Sequence, residues 1–183
     1  MKKLFNVSAV IVFSLIAATV VFAEEKEKKT ETSLFNFENS SDINSFESFS
    51  GQMVAEHAKK GAQSCKVSFT ANQKQSLAIK EEGLTVKDWS GYKELKFDVY
   101  SNFNEDVQLQ VKFVSDGGAQ GERSIFIYKK VPSKKDHTVT IKLKSIEKDE
   151  NGADFEVSKM IRFRINCTPS TDGEIYFDNI RLE

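Results

Sequence analysis

Cysteine, proline, tryptophan and histidine are scarce in this chain of 183 residues, which contains two cysteines, two prolines, one tryptophan and two histidines. Two distant cysteines cannot supply the closely spaced ligands of a structural zinc site. His57 and His137 lie in polar stretches without a nucleophile motif beside them, so both are predicted to be surface residues and not members of a catalytic triad. The 27 acidic residues are scattered among lysines and do not identify the carboxylate pair of a glycosidase. We therefore predict a protein that is not an enzyme.

The sequence also lacks an excess of charge of either sign. Its 26 lysines and arginines are balanced by 27 aspartates and glutamates. Binding to nucleic acid requires a concentrated positive field that neutralises phosphates. No nucleic-acid partner is therefore expected.

A long apolar run occurs only at the beginning of the chain. Lys2 and Lys3 precede an apolar segment at 7–22 that ends in the small residue Ala23. This pattern is typical of a secretory signal peptide, so we predict residues 1–23 as the signal, with cleavage before Glu24. The alternative is an uncleaved anchor, although the run is at the short end of the ~17 to 25 apolar residues that a membrane span needs. The mature protein is expected to be exported, periplasmic or extracellular, with no membrane span.

The rest of the chain divides into a charged linker and one domain. Residues 24–33 are charged and without periodicity, which predicts a disordered linker. Residues 34–183 alternate apolar and polar positions in about nine segments, and none shows persuasive helical periodicity. The clearest alternation follows a Ser-Gly turn and places Leu95, Phe97 and Val99 on one face. The pattern predicts an all-β fold, an antiparallel β-sandwich.

The closing segment, EIYFDNIRLE, breaks its own alternation. Ile175 and Phe177 share one parity, whereas Ile180 and Leu182 share the other. One extra residue near positions 178 and 179 would bring all four to the same face. A β-bulge is therefore predicted there.

The two cysteines, Cys65 and Cys167, both have the inward parity of their segments. One opens its strand and the other closes its strand, as two antiparallel neighbours would place them together. An exported protein allows a disulfide, and this one would close a loop of about 100 residues, worth ~4 to 5 kcal/mol in the chain-entropy account. The alternative is two separate buried thiols that pack as small apolar residues.

Four segments together resemble a known family. FNFE, GAQSCKVSF, DWSGYKELKFDVYS and EIYFDNIRLE resemble the galactose-binding-like jelly rolls that serve as carbohydrate-binding modules in secreted bacterial proteins, and the likeness covers 34–183. The resemblance implies a jelly-roll β-sandwich. It also implies a structural calcium ion, held by Glu38 and Asp178 where the first and last strands meet. The alternative is that these carboxylates accept hydrogen bonds from turn backbone.

Sugar binding needs aromatic faces for the pyranose ring and polar groups for its hydroxyls. The outward residues of the middle strands offer both: Tyr100, Gln108, Gln110, Lys112, Phe126, Tyr128, Arg162 and Arg164. They could also be ordinary solvated residues, but two rings at Phe126 and Tyr128 form an apolar patch that favours a partner. The basic members of the set point to an acidic glycan.

We therefore predict an exported, non-catalytic domain that binds a polysaccharide or oligosaccharide through one sheet face. Such modules are normally attached to an enzyme, and none is recognisable in this sequence. This observation raises an alternative, a structural or protein-binding component of the cell envelope, since periplasmic flagellar sheath proteins and assembly factors use similar jelly rolls. A small polysaccharide-cleaving enzyme is a third hypothesis.

Overall fold

A computed structural model describes residues 30–47, 51–146, 148–149 and 151–183. The predicted signal peptide and most of the predicted linker lie outside the described residues. The first strand begins at Thr32, two residues before the predicted start of the domain at Leu34. None of the helices in the described ranges has the length and apolar character needed to cross a membrane.

The described ranges contain eleven strands, one short α-helix and three 3-10 turns. The strands are β1 (Thr32–Phe35), β2 (Phe46–Glu47), β3 (Gly51–Val54), β4 (Ser64–Phe69), β5 (Gln75–Ile79), β6 (Glu94–Ser101), β7 (Val107–Asp116), β8 (Glu122–Val131), β9 (Asp136–Lys142), β10 (Met160–Cys167) and β11 (Gly173–Leu182). The 3-10 turns are Gly118–Gln120, Leu143–Ser145 and Val157–Lys159. The prediction of about nine strands is close, because a two-residue strand such as β2 is too short to show alternation.

The strands form two antiparallel sheets that pack face to face, which confirms the predicted β-sandwich. The six-stranded sheet has the order β3-β4-β11-β6-β9, with β1 paired to β11. The five-stranded sheet has the order β2-β5-β10-β7-β8. Inward side chains of both sheets form one continuous apolar core.

The helix α1 (Ser40–Asn44) was not predicted from the sequence, which shows no persuasive helical periodicity. Asn39 precedes it in an extended conformation, and the Asp42 carboxylate accepts a hydrogen bond from the backbone N–H of Phe37 at 2.8 Å. Five residues are too few to show helical periodicity in the sequence. The helix therefore has no signal that separates it from a turn.

Trp89 anchors one end of the core. It lies in the connection between β5 and β6 and is fully buried. Its indole N–H donates to the carbonyl of Val86 at 2.8 Å, so the buried polar atom is satisfied. Its ring meets Phe113 and Phe163 edge to face, with centroids 6.1 and 5.8 Å away.

The predicted bulge is present in β11. Asp178 pairs with Asp98 of β6, and the next pair joins Arg181 to Lys96, so three steps on β11 match two on β6. Asn179 accommodates the extra residue with φ of +49°. Residues on both sides of the bulge therefore face the core, as the sequence predicts.

The predicted neighbourhood of the two cysteines is wrong. Cys65 lies in β4 of the six-stranded sheet, whereas Cys167 ends β10 of the five-stranded sheet. Both are free and buried, which is the arrangement of two separate thiols. Parity assigns a residue to the interior, but it does not identify the sheet.

Candidate functional site

The outer face of the five-stranded sheet collects side chains from β10, β7 and β8. The register places Lys112 between Arg164 and Phe126, and Gln110 between Asn166 and Tyr128. Seven of the eight residues predicted to bind sugar therefore share this face: Gln108, Gln110, Lys112, Phe126, Tyr128, Arg162 and Arg164.

The eighth residue, Tyr100, lies elsewhere. It belongs to β6 and faces outward from the six-stranded sheet. The ring of His57 stacks on it with centroids 3.5 Å apart, and Tyr176 meets it edge-on at 6.0 Å. Tyr100 is thus covered by the chain itself, and His57 is partly buried instead of lying free on the surface. His137 is exposed, as predicted.

Tyr128 is the most open aromatic side chain of the outer face. It is 56% exposed, and it is the one large hydrophobic residue in the described part of the chain that is exposed to this degree. The Gln110 side-chain amide donates a hydrogen bond to its hydroxyl at 2.8 Å. This bond holds one end of the ring while most of its surface stays available for stacking.

Gln110 connects Tyr128 to two further polar residues. The amide oxygen of Gln110 accepts hydrogen bonds from the Lys74 ammonium and from the Asn166 side-chain amide, both at 3.1 Å. The four side chains therefore form one hydrogen-bonded network across three strands and a turn. Such a network fixes the positions of its donors and acceptors before a ligand arrives.

A cleft of about 560 Å³ opens beside this network. The network forms one side, and the loops 103–107 and 168–171 form the others. These two segments lie next to each other because the first residues of the antiparallel strand β7 pair with the last residues of β10. The volume lies within the range typical of ligand sites. The cleft and the exposed ring of Tyr128 together form the candidate site.

The two arginines of the outer face already have carboxylate partners. Arg162 pairs with Glu122 at 2.5 Å, and Arg164 pairs with Glu47 at 2.7 Å. These ion pairs are partly exposed and should contribute little to stability. They nevertheless engage the two guanidinium groups that were predicted to bind the ligand.

The lysines near the cleft differ from one another in their partners. Lys130 forms an ion pair with Asp106 at 2.8 Å. That hydrogen bond, together with one from the backbone N–H of Ser133, lowers the pKa of Asp106 below its ordinary value. Lys112 instead lies over the ring of Phe126, with its ammonium 5.3 Å from the ring centroid, within cation–π distance.

The carboxylates predicted to hold calcium, Glu38 and Asp178, converge on one loop. Asp178 accepts backbone N–H groups of residues 59 and 60 at 2.5 and 2.8 Å, and Glu38 accepts those of residues 62 and 63 at 2.8 and 2.9 Å. Within the ranges that the structure describes, no three or more His, Cys, Asp or Glu side chains are grouped to hold a metal ion. Calcium takes six to eight oxygens, so loop carbonyls would have to supply most of them. The calcium ion stays a prediction.

Two residues of the network were not identified from the sequence. Asn166 has the same outward parity as Arg162 and Arg164, so the alternation of β10 could have revealed it. Lys74 lies in the turn between β4 and β5, where no periodicity exists. Only the tertiary structure brings it to Gln110.

Comparisons with known proteins identify the fold of this chain. Neither a protein-family model nor a curated protein matches the sequence. The family 11 carbohydrate-binding module from Clostridium thermocellum, solved in complex with a β-1,3-1,4-mixed-linked tetrasaccharide, matches with a TM-score of 0.59 and 18% identity over 83% of this chain and 94% of its own. A family 30 carbohydrate-binding module matches with a TM-score of 0.62 and 16% identity over 86% of this chain and 89% of its own.

A third solved structure contains this fold as part of a longer chain. An exo-β-agarase matches with a TM-score of 0.62 and 18% identity over 82% of this chain but 24% of its own. At these identities the matches establish the architecture. The chain has the jelly-roll fold found in carbohydrate-binding modules, which confirms the resemblance seen in the sequence.

Proposed function

We propose that this protein is a non-catalytic carbohydrate-binding module whose ligand is a glycan bound on the outer face of the five-stranded sheet. The observation that carries the proposal is the exposed ring of Tyr128 beside a polar cleft. A pyranose ring stacks on an aromatic face through its C–H groups, and its hydroxyls need fixed donors and acceptors. Gln110, Asn166 and Lys74 supply these at the same edge.

The fold supports the proposal without determining it. The family 11 and family 30 matches are carbohydrate-binding modules, and one of them was solved with an oligosaccharide. A fold alone does not fix function, so the argument depends on the site. The absence of a catalytic role is part of the proposal.

The test is a titration of the purified protein with a panel of soluble polysaccharides by isothermal calorimetry. Tyr128→Ala should weaken binding by about 5- to 30-fold, because stacking on an aromatic ring contributes about 1 to 2 kcal/mol. Tyr100→Ala, on the opposite sheet, is the matched control and should bind like the wild type once its folding is verified by circular dichroism. Equal affinity in Tyr128→Ala would exclude this surface. Release of reducing sugar from any panel member would show catalysis instead.

We also propose export, through the signal predicted at residues 1–23. Expression in a bacterium with a periplasm should give a mature protein that begins at Glu24, which intact-mass spectrometry measures. A cytoplasmic protein of full length would contradict export. If no glycan binds and the exported protein co-purifies with an envelope filament, the alternative role in the envelope is the better account.

A further inference from the structure

Only some of the positively charged side chains on the outer face of the five-stranded sheet have a carboxylate partner. Arg162, Arg164 and Lys130 each have a carboxylate within ion-pair distance. For Lys74 and Lys112, no carboxylate of the described residues lies within that distance; their contacts are the amide oxygen of Gln110 and the ring of Phe126. Among the described residues, two positive charges on this face therefore have no carboxylate partner.

These two charges lie near the ring proposed to stack on sugar, toward β7, the strand that pairs with β8. The Lys74 ammonium reaches Gln110, which in turn donates to Tyr128. Lys112 is two residues from Gln110 along β7, about 6 to 7 Å away, and its row of the sheet runs to Phe126. A sugar stacked on Tyr128 would thus have an ammonium group at the cleft end and another at the next row of the sheet.

The acidic residues of the cleft do not cancel these charges. Asp106 is engaged by Lys130 and by the backbone N–H of Ser133. Glu105 lines the cleft from an exposed position in the loop 103–107. It contributes one negative charge against the two lysines.

We propose that this site selects an anionic glycan, with Lys74 and Lys112 pairing with acid groups of the sugar stacked on Tyr128 or of the sugars next to it. The inference rests on the proposed glycan-binding function and names the class of its ligand. The acid groups are carboxylates of uronic acids or sulfate esters, since an ammonium group accepts either as a point charge. The site would discriminate against a neutral chain of the same backbone because the two lysines would gain no partner.

The test compares glycans that share a backbone and differ in charge. Polygalacturonate and its fully methyl-esterified form are the carboxylate pair, and a carrageenan and its desulfated form are the sulfate pair. The wild type should bind at least one anionic member about 25-fold more tightly than its neutral partner, from two ion pairs of about fivefold each. Raising sodium chloride from about 0.05 to 0.5 M should weaken this binding. The pair that shows the preference identifies the acid group.

Variants of the two lysines separate this inference from the proposed function. Lys112→Met should reduce affinity for the anionic glycan by about fivefold and leave affinity for its neutral partner nearly unchanged. Lys74→Met also removes a donor of the polar network, so it should weaken binding of both partners, with a loss about fivefold larger for the anionic one. Lys87→Met is the control, since Lys87 pairs with Glu81 in a connecting segment that does not line the cleft. Its affinity should equal that of the wild type.

The other possible results of these titrations would overturn different parts of the inference. Equal affinity for charged and neutral partners would overturn the selection of anionic glycans while keeping the proposed function. Tight anionic binding that both lysine variants retain would overturn the assignment to Lys74 and Lys112. If no glycan binds, charged or neutral, the proposed function fails as well.

Discussion

Replacing Asp178 by asparagine should destabilise the fold, because its buried carboxylate holds a loop by backbone hydrogen bonds. The residue is 1% exposed. One oxygen accepts the N–H groups of Lys59 and Lys60, and the other accepts that of Asn179 at 2.6 Å. Asparagine has the same shape but replaces one oxygen by an NH₂ group, which donates. At least one backbone N–H then loses its acceptor.

The expected loss follows from two opposing effects. A buried N–H without an acceptor costs about 1 to 3 kcal/mol. Removing the charge gives back part of this, because burial raises the pKa of Asp178 and Asp98 raises it further, against the lowering by the backbone N–H groups. We expect the free energy of unfolding to fall by about 2 kcal/mol and the Tm to fall by about 4 to 8 °C.

Urea and thermal denaturation, followed by circular dichroism, measure this loss. Asp154→Asn is the matched control, since the Asp154 side chain is 82% exposed and its ion pair is with Lys148. The control should change the free energy of unfolding by less than about 0.5 kcal/mol. A loss in Asp178→Asn no larger than that of the control would refute the reasoning.

The same denaturation curves test the predicted calcium ion. If Glu38 and Asp178 bind calcium, adding it to EDTA-treated wild type should raise stability by about 2.7 kcal/mol at 100 times the dissociation constant. Asp178→Asn should lose this response. An unchanged Tm in the wild type would make the calcium prediction wrong and leave the backbone hydrogen bonds as the role of both carboxylates.

Two glycine substitutions and a pH profile test the packing further. Gly61→Ala should lower the free energy of unfolding by about 1 to 3 kcal/mol, because Gly61 has φ of +87° and an added Cβ would lie 2.4 Å from the Glu38 carboxyl carbon. Gly152→Ala, with φ of +79° and open space around its Cβ, should lose only about 1 kcal/mol, and equal losses in urea denaturation would contradict the clash. Burial raises the pKa of Cys167 from 9.0 to about 11. The folded thiol thus keeps its proton to higher pH than the unfolded one, so the free energy of unfolding should fall as pH rises from 9 to about 11. In Cys167→Ala, the free energy of unfolding should fall less steeply with pH over this range than in the wild type. Identical pH dependences would contradict the raised pKa of Cys167.

The sequence predicts which side chains face the core because alternation reports that directly. Leu95, Phe97 and Val99 are all buried as their parity requires. The reversed parity in the last segment likewise predicts the bulge at Asp178 and Asn179, since only an extra residue returns both halves to the core.

Alternation does not report which sheet a strand joins. Tyr100 has outward parity like Tyr128, yet it lies on the opposite side of the sandwich. Cys65 and Cys167 have inward parity, yet their strands are in different sheets. Pairing between distant strands is set by the whole fold, and Lys74 reaches the site from a turn with no pattern of its own.

Mapping the bound glycan by NMR tests the central claim most directly. The ¹⁵N-labelled protein would be titrated with the panel polysaccharide, or an oligosaccharide cut from it, that calorimetry identifies. We predict that amide shifts change in β7 around Gln110, in β8 around Tyr128 and in the loop 168–171, while those around Tyr100 and Tyr176 stay constant. Shifts confined to the six-stranded sheet, or none on either face at saturating glycan, would contradict the account.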